Sequence, residues 1–371
     1  MEIHGTYNTA IAKLDELDEH SIKQIETLCS QEIFKDSKIR IMPDSHAGKG
    51  CVIGFTANLK NKIIPNLVGV DISCSISAYK LDTDSIDFTK LDKFLHYKLP
   101  HGVGIRKNIS ELVSDELRER VIEANFEIGD DEKMANRDLL SIGSLGSGNH
   151  FLEVNRDSSG SFWFSIHCGS RNFGLRVCNF HQKRSVKDES IPIPLRYIEG
   201  NELEAYVKHV KVAHDFALTN HNVILSEVCD TMNWNIVDSV FTYHNYIEFL
   251  DNGEYMIRKG AISAKAGERV MIPMNMRDGS LIGVGKGNPD WNYSAPHGAG
   301  RVLSRKEAFE KLQMNDFKRE MDGIWSTCVC ECNLDESPMA YKPMREVEKY
   351  LGETVEITDR IVPVYNFKAS S

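Results

Sequence analysis

The sequence predicts an α+β fold, a single large mixed α/β domain over residues 1–371. Three observations carry this. Strand-like runs outnumber helical ones, they do not alternate with helices as in a doubly wound sheet, and no linker-like composition separates two halves. The 371 residues, 41% hydrophobic and 26% charged, suffice for one sizeable core and exclude disordered, collagen-like and coiled-coil architectures.

In chain order, Ser21 with Gln24 reads as a capping box, with Ile22, Ile25 and Leu28 on the face behind it. β-rich runs follow at 51–59, 67–81 and 161–167, the last preceded by a turn at 157–160. The longest helical pattern covers 201–229, where Leu203, Tyr206, Val210, Ala213, Ala217 and Ile224 recur near helical spacing. Strand-like runs resume at 236–250 and 254–264, separated by a turn at Asn252 and Gly253. A helix opens after Ser304 and continues through Phe309, Leu312 and Phe317, and a last strand covers 361–367.

Charge and cysteine content narrow the function. With 44 Lys and Arg against 54 Asp and Glu, the net charge of −10 excludes a general nucleic-acid coat, which needs basic residues for its phosphates. An enzyme gripping one strand end in a locally basic cleft is still allowed. No window approaches the ~18 consecutive apolar residues of a membrane span. The N-terminus lacks the basic and apolar regions of a signal peptide, so the expectation is a cytoplasmic chain with no membrane. Nine cysteines then read as reduced thiols. Cys328, Cys330 and Cys332 form a C-x-C-x-C run, expected on one face of a strand as packing residues. Zinc sites usually space paired cysteines as C-x2-4-C.

Polar residues of metal-binding or catalytic type concentrate in a few segments. These are Met42-Pro-Asp-Ser-His46, Asp71-Ile-Ser-Cys74, Gly146-Ser-Gly-Asn-His150, Ile166-His-Cys-Gly-Ser-Arg171, Thr242-Tyr-His-Asn245 and His297-Gly-Ala-Gly-Arg301. Asp71 and Cys74, three apart, share no face of a flat strand and converge only if the chain bends at Ile72 and Ser73. With His150, His167 and His244 they make five candidate ligands, enough for two metals if the Cys74 thiolate bridges. Ligand types alone favour zinc, and mixed O, N and S ligation with open positions also admits manganese. The glycine-rich loop ending in Asn149 can bring backbone N–H groups to a phosphate. His297 is uncrowded by its small neighbours, and Arg301 offers a fork suited to phosphate.

Together these segments resemble the RNA-splicing ligase RtcB family, GTP- and manganese-dependent ligases of RNA ends. The resemblance runs from Met42 to Lys368 in the family's motif order. Met42-Pro-Asp-x-His46 with Gly48 and Gly50 comes first, then Gly69-Val-Asp-Ile-Ser-Cys74, Gly148-Asn-His-Phe-Leu-Glu153, His167-x-Gly-Ser-Arg171 and His244-Asn245. Arg258-Lys-Gly-Ala261, His297-Gly-Ala-Gly-Arg301 and Asp335-Glu-x-Pro-Met-Ala-Tyr-Lys342 follow. The resemblance implies one ligase domain with a central metal and nucleotide cleft. It implies two Mn²⁺ ions on Asp71, Cys74, His150, His167 and His244, with Cys74 bridging. His297 would attack the α-phosphorus of GTP to give a guanylyl-histidine, oriented by Asp44, with Arg301 beside it. Asn149 would hold phosphate, Glu153, Ser280 and Lys368 the guanine edge, and Tyr341 would stack on the base. His244 and Asn245, Pro273, Met274, Asn275 and Met276, and Gly298, Ala299 and Gly300 would line the nucleotide pocket.

The implied reaction passes GMP from His297 to an RNA 3′-phosphate, after which a 5′-hydroxyl seals the strand and releases GMP; a 2′,3′-cyclic phosphate is opened first. Implied substrates are ends of cleaved tRNA, rRNA or other RNA, in splicing or repair. A monomer is expected, with a co-encoded repair or release factor as its partner. The stretch Pro-Met-Asn-Met-Arg-Asp-Gly-Ser280 departs from the G-S-M-G type segment of many relatives. A rival reading keeps the metals and discards His297: a dinuclear phosphodiesterase acting on cyclic-phosphate RNA ends.

Overall fold

The computed structural model describes residues 1–369. Two sheets form its frame. The smaller has six strands, in the order Glu2–His4, Thr9–Ala12, Arg40–His46, Ile53–Leu59, Tyr255–Lys259 and Asn245–Phe249, antiparallel except between the second and third. The larger has seven, all antiparallel, in the order Ile236–Tyr243, Ser75–Leu81, Phe162–Cys168, Phe151–Arg156, Val355–Phe367, Gly279–Gly285 and Arg269–Asn275. The mixed α/β class is therefore as the sequence predicts.

The helix at 201–229 is Gly200–Met232, closed by Asn233 in the left-handed region at φ 58°. It serves both sheets. Tyr206, Ala213 and Phe216 join a hydrophobic cluster with Phe55 and Ile257 of the smaller sheet, while Ile224 and Val228 join Leu152, Phe164 and Ile166 of the larger. Among the described residues no helix is long and apolar enough to cross a membrane.

Several expectations are corrected. The first helix, Glu19–Cys29, is capped by Asp18, whose side chain accepts from Ser21 N; Ser21 and Gln24 form no capping box. The run 67–81 is not one strand: Pro65 opens the short helix Pro65–Val68, and the strand starts only at Ser75. The runs 236–250 and 254–264 each break in two, at His244 and Gly260. The helix after Ser304 has its capping box with Glu307 but ends at Lys311. Extended Leu312 and Gln313 then redirect the chain into Met314–Glu320, which buries Phe317. Cys328, Cys330 and Cys332 lie on no strand. Cys330 and Cys332 are joined in a disulfide, against the expectation of reduced thiols, and seven cysteines are free. The hairpin Arg269–Asn275 with Gly279–Gly285 and the helices Asp115–Glu127, Glu132–Ser141 and Arg171–Lys183 were not predicted.

Candidate active site

The site begins with a bend. Ser73 adopts φ 62°, Cys74 N donates to Asp71 O at 3.2 Å, and Ser73 N donates to Asn245 O at 2.7 Å. The turn expected at Ile72 and Ser73 thus brings Asp71 and Cys74 together at the head of strand Ser75–Leu81. Cys74 immediately precedes that strand, whose Ser75 and Ile76 pair with Cys168 and His167 at the end of the neighbouring strand, and His150 precedes the next. Cys74 Sγ lies 3.3 Å from His167 Nε2 and 3.5 Å from His150 Nε2, and His150 Nε2 lies 3.3 Å from Asp71 Oδ2. His244 sits where the chain leaves the larger sheet for the smaller, and its N–H donates to Cys74 O at 3.0 Å.

Two ligand sets result, Asp71–Cys74–His150 and Cys74–His167–His244, with donor atoms in each within 4.8 Å of one another. They share Cys74, so the five residues fit two metal ions and a bridging thiolate. The surroundings fit too. The Nδ1–H groups of His150 and His167 donate to Leu145 O at 2.9 Å and Asn149 O at 3.2 Å, which leaves the Nε2 lone pairs facing the sulfur. His244 Nδ1 is buried without a partner, the kind of orphan that a cation satisfies. Burial, then the charge of Asp71, pushes the Cys74 thiol well up, and burial with neighbouring imidazoles holds His167 and His244 well below the usual histidine range. Burial raises Asp71, but the hydrogen bond and charge of His150, the Cys74 hydrogen bond and the Arg171 charge together outweigh it, and the net direction is down. A divalent cation would reverse the thiol's preference, because a ligating thiol is deprotonated outright.

Beside this cluster stands His297, its ring centroid 5.0 Å from that of His244. Asp44 is fully buried. Its Oδ2 accepts from His297 Nδ1 at 2.6 Å, His297 N at 3.1 Å and Gly298 N at 3.2 Å. With Nδ1–H held by a carboxylate, the imidazole keeps its lone pair on Nε2. Gly300, at φ 75°, allows this approach: a Cβ there would overlap Asp44 O.

One cavity joins these groups. Asp71, Cys74, His167, His244, Asn245, His297, Gly298, Ala299, Gly300 and Arg301 line it, with Pro273, Met274, Asn275, Met276, Asn149, Glu153, Tyr341 and Lys368 beyond. His150 faces an adjoining cleft with Asp71, Arg137 and Arg171. Ser280 is buried, and its neighbour Gly279 reaches the wall instead. Glu153 is buried; desolvation lifts its pKa to about 7, and Asn366 donates to it at 2.7 Å. Arg301 is largely committed, donating to Leu303 O, Asp335 O, Glu336 and the Tyr341 hydroxyl.

Four residues without an assigned role enter the picture. Glu336, buried, accepts from Lys368 Nζ and Tyr341 Oη at 2.7 Å each. His46 and Lys259 line the cavity near His297, and Lys342 lies behind Asp44. All four fall inside the sequence motifs, and that is the only signal marking them.

A buried cluster of thiol, imidazole and carboxylate groups beside a carboxylate-held histidine is a candidate metal centre of an enzyme. The comparisons give the family. The family model described as tRNA-splicing ligase RtcB matches residues 24–369. The chain is 30% identical over 368 residues to the RNA-splicing ligase RtcB of Escherichia coli K12, covering 88% of each, and equally so to RNA-splicing ligase RtcB1 of a second Escherichia coli strain. It is 29% identical over 390 residues to the tRNA-splicing ligase RtcB of Archaeoglobus fulgidus, covering 81% of each. The chain belongs to the RtcB family of ligases.

Proposed function

We propose that this chain is a GTP- and Mn²⁺-dependent RNA ligase that joins a 3′-phosphate or 2′,3′-cyclic phosphate end to a 5′-hydroxyl end. The observation that carries the reading is the 2.6 Å contact of buried Asp44 with Nδ1 of His297, which shares a cavity wall with Asp71, Cys74, His167 and His244. His297 Nε2 attacks the α-phosphorus of GTP and expels pyrophosphate, while Asp44 retains Nδ1–H and offsets the ring's developing positive charge. GMP then passes to the RNA 3′-phosphate, and the 5′-hydroxyl displaces it to form the phosphodiester. Asp71, Cys74, His150, His167 and His244 would hold two Mn²⁺ ions, which supply Lewis-acid neutralisation of phosphate charge. Glu153 and Lys368 would meet the guanine edge, and Tyr341 its face.

Substrates in this reading are ends of cleaved tRNA or rRNA, met in the cytoplasm by a monomer working with a co-encoded repair or release factor. The test is acid-labile transfer of label from α-³²P-GTP to the protein. Wild type should take up label and His297→Ala should not, while keeping its metal content. Normal labelling of His297→Ala would sink the reading. Cyclic-phosphate hydrolysis by an unlabelled wild type would favour the phosphodiesterase instead.

A further inference from the structure

We propose that Lys342 is a positioning residue for the His297 nucleophile, acting through Asp44; the inference rests on the role given to His297 above. Asp44 lies in strand Arg40–His46, whose pairing with Ile53–Leu59 lapses between Ile41 and His46. The carbonyls on either side of Asp44 therefore have no ladder partner across that gap. Lys342 supplies one: its Nζ donates to Pro43 O at 2.8 Å and to Ser45 O at 3.3 Å. Its backbone N–H donates to Gly300 O at 3.0 Å, in the turn that follows His297. One residue thus ties the segment bearing the carboxylate to the segment bearing the imidazole. At this junction a Cβ on Gly300 would strike Asp44 O, so the two backbones touch with no side chain between them to hold register. The ammonium fits an electrostatic role as well. Burial lowers its pKa while the Asp44 charge opposes that shift.

A bond network of this kind sets the direction of Asp44 Oδ2, and with it the aim of His297 Nε2. The steps that use the imidazole should suffer when it is cut, and the step that does not should be spared. Lys342→Met should slow formation of the GMP adduct roughly ten- to hundredfold while sealing of an RNA already guanylylated at its 3′ end stays within about twofold of wild type. GTP affinity should be unchanged. The double variant Asp44→Ala/Lys342→Met should be no slower in adduct formation than Asp44→Ala alone, because the two act in series. Full-rate labelling of Lys342→Met, or equal loss of labelling and of sealing, would overturn the inference. If Lys342→Met does not fold, Lys342→Arg takes its place: partial labelling with intact sealing supports the role, and parallel loss of both overturns it. A wild-type protein that forms no adduct overturns the reading of His297 and this inference with it. A labelled wild type beside a fully active Lys342→Met overturns only the inference.

Discussion

At Asp44 a single oxygen accepts three N–H groups while the other, Oδ1, is buried with no partner. An amide oxygen could preserve those contacts but carries no charge to offset a cationic ring. Asp44→Asn should therefore fold and bind metal, yet label from GTP roughly a hundredfold more slowly; labelling at the wild-type rate would refute the orienting role. Glu153 offers a second test, on stability. Its pKa in the fold is about 7 against a reference of 4.5, so the folded protein keeps a proton that the unfolded chain releases. Stability then falls as pH rises through that window. Glu153→Gln removes the cost, so without metal or nucleotide it should be more stable than wild type by about 1–3 kcal/mol near pH 8, with no gain near pH 5. Thermal melts at the two pH values decide this, and GTP affinity should drop in the same variant. The five candidate metal-ligand residues could be picked from the sequence by residue type and place, whereas the raised pKa of Glu153 could not. Its shift is the balance of burial, which raises it, against the Asn366 hydrogen bond and the Lys368 charge, which lower it from more than 200 residues away along the chain.

Local chemistry fixes some elements, and partners fix others. The helix after Ser304 begins where its capping box says, because Ser304 and Glu307 satisfy each other's backbone groups without outside help. Its end has no such local signal: the helix stops at Lys311, Leu312 and Gln313 are extended, and Phe317 is buried from the next helix. The same division explains His244. The residues around it read as one strand by composition, yet Tyr243 pairs with Ser75 in one sheet and Asn245 with Lys259 in the other. The turn at Gly298, Ala299 and Gly300 is an element of the site in its own right. Gly300→Ala would meet both a φ of 75° and the Asp44 carbonyl. It should lose the GMP adduct and about 1–3 kcal/mol of stability, read by labelling and by denaturant melts. An active, equally stable Gly300→Ala would show that the two backbones need not touch.

Across the whole molecule, the metal-ligand set spans residues 71 to 244 and draws on the larger sheet and on the crossing between the two. Ligation at this junction would tie the sheets together. Any cation that binds the fold and not the unfolded chain stabilises it by mass action, by about 2.7 kcal/mol at a hundredfold excess over Kd. Chelation should therefore lower the melting temperature of wild type. Cys74→Ala, having lost the shared sulfur, should melt at the same temperature with and without chelator and form no adduct. Changing Cys328, Cys330 and Cys332 together to Ser should leave the metal content as it was. A wild-type melt indifferent to chelator would rule out the two-ion centre.

By itself the sequence determined the class of fold and the long helix, and it named the candidate site residues that the fold brings to one cavity and its adjoining cleft. These depend on composition, on periodicity and on residue types confined to short motifs, all of which are local. The resemblance named Asp44 as the partner of His297, and the tertiary structure supplied the contact itself, Asp44 Oδ2 to His297 Nδ1 at 2.6 Å across 253 residues. The structure alone decided that the chain changes sheets at His244, and that Lys342 serves the carbonyls flanking Asp44. Hydrogen bonds and burial between distant segments have no signature in local spacing, because their energy exists only once the sheets have packed.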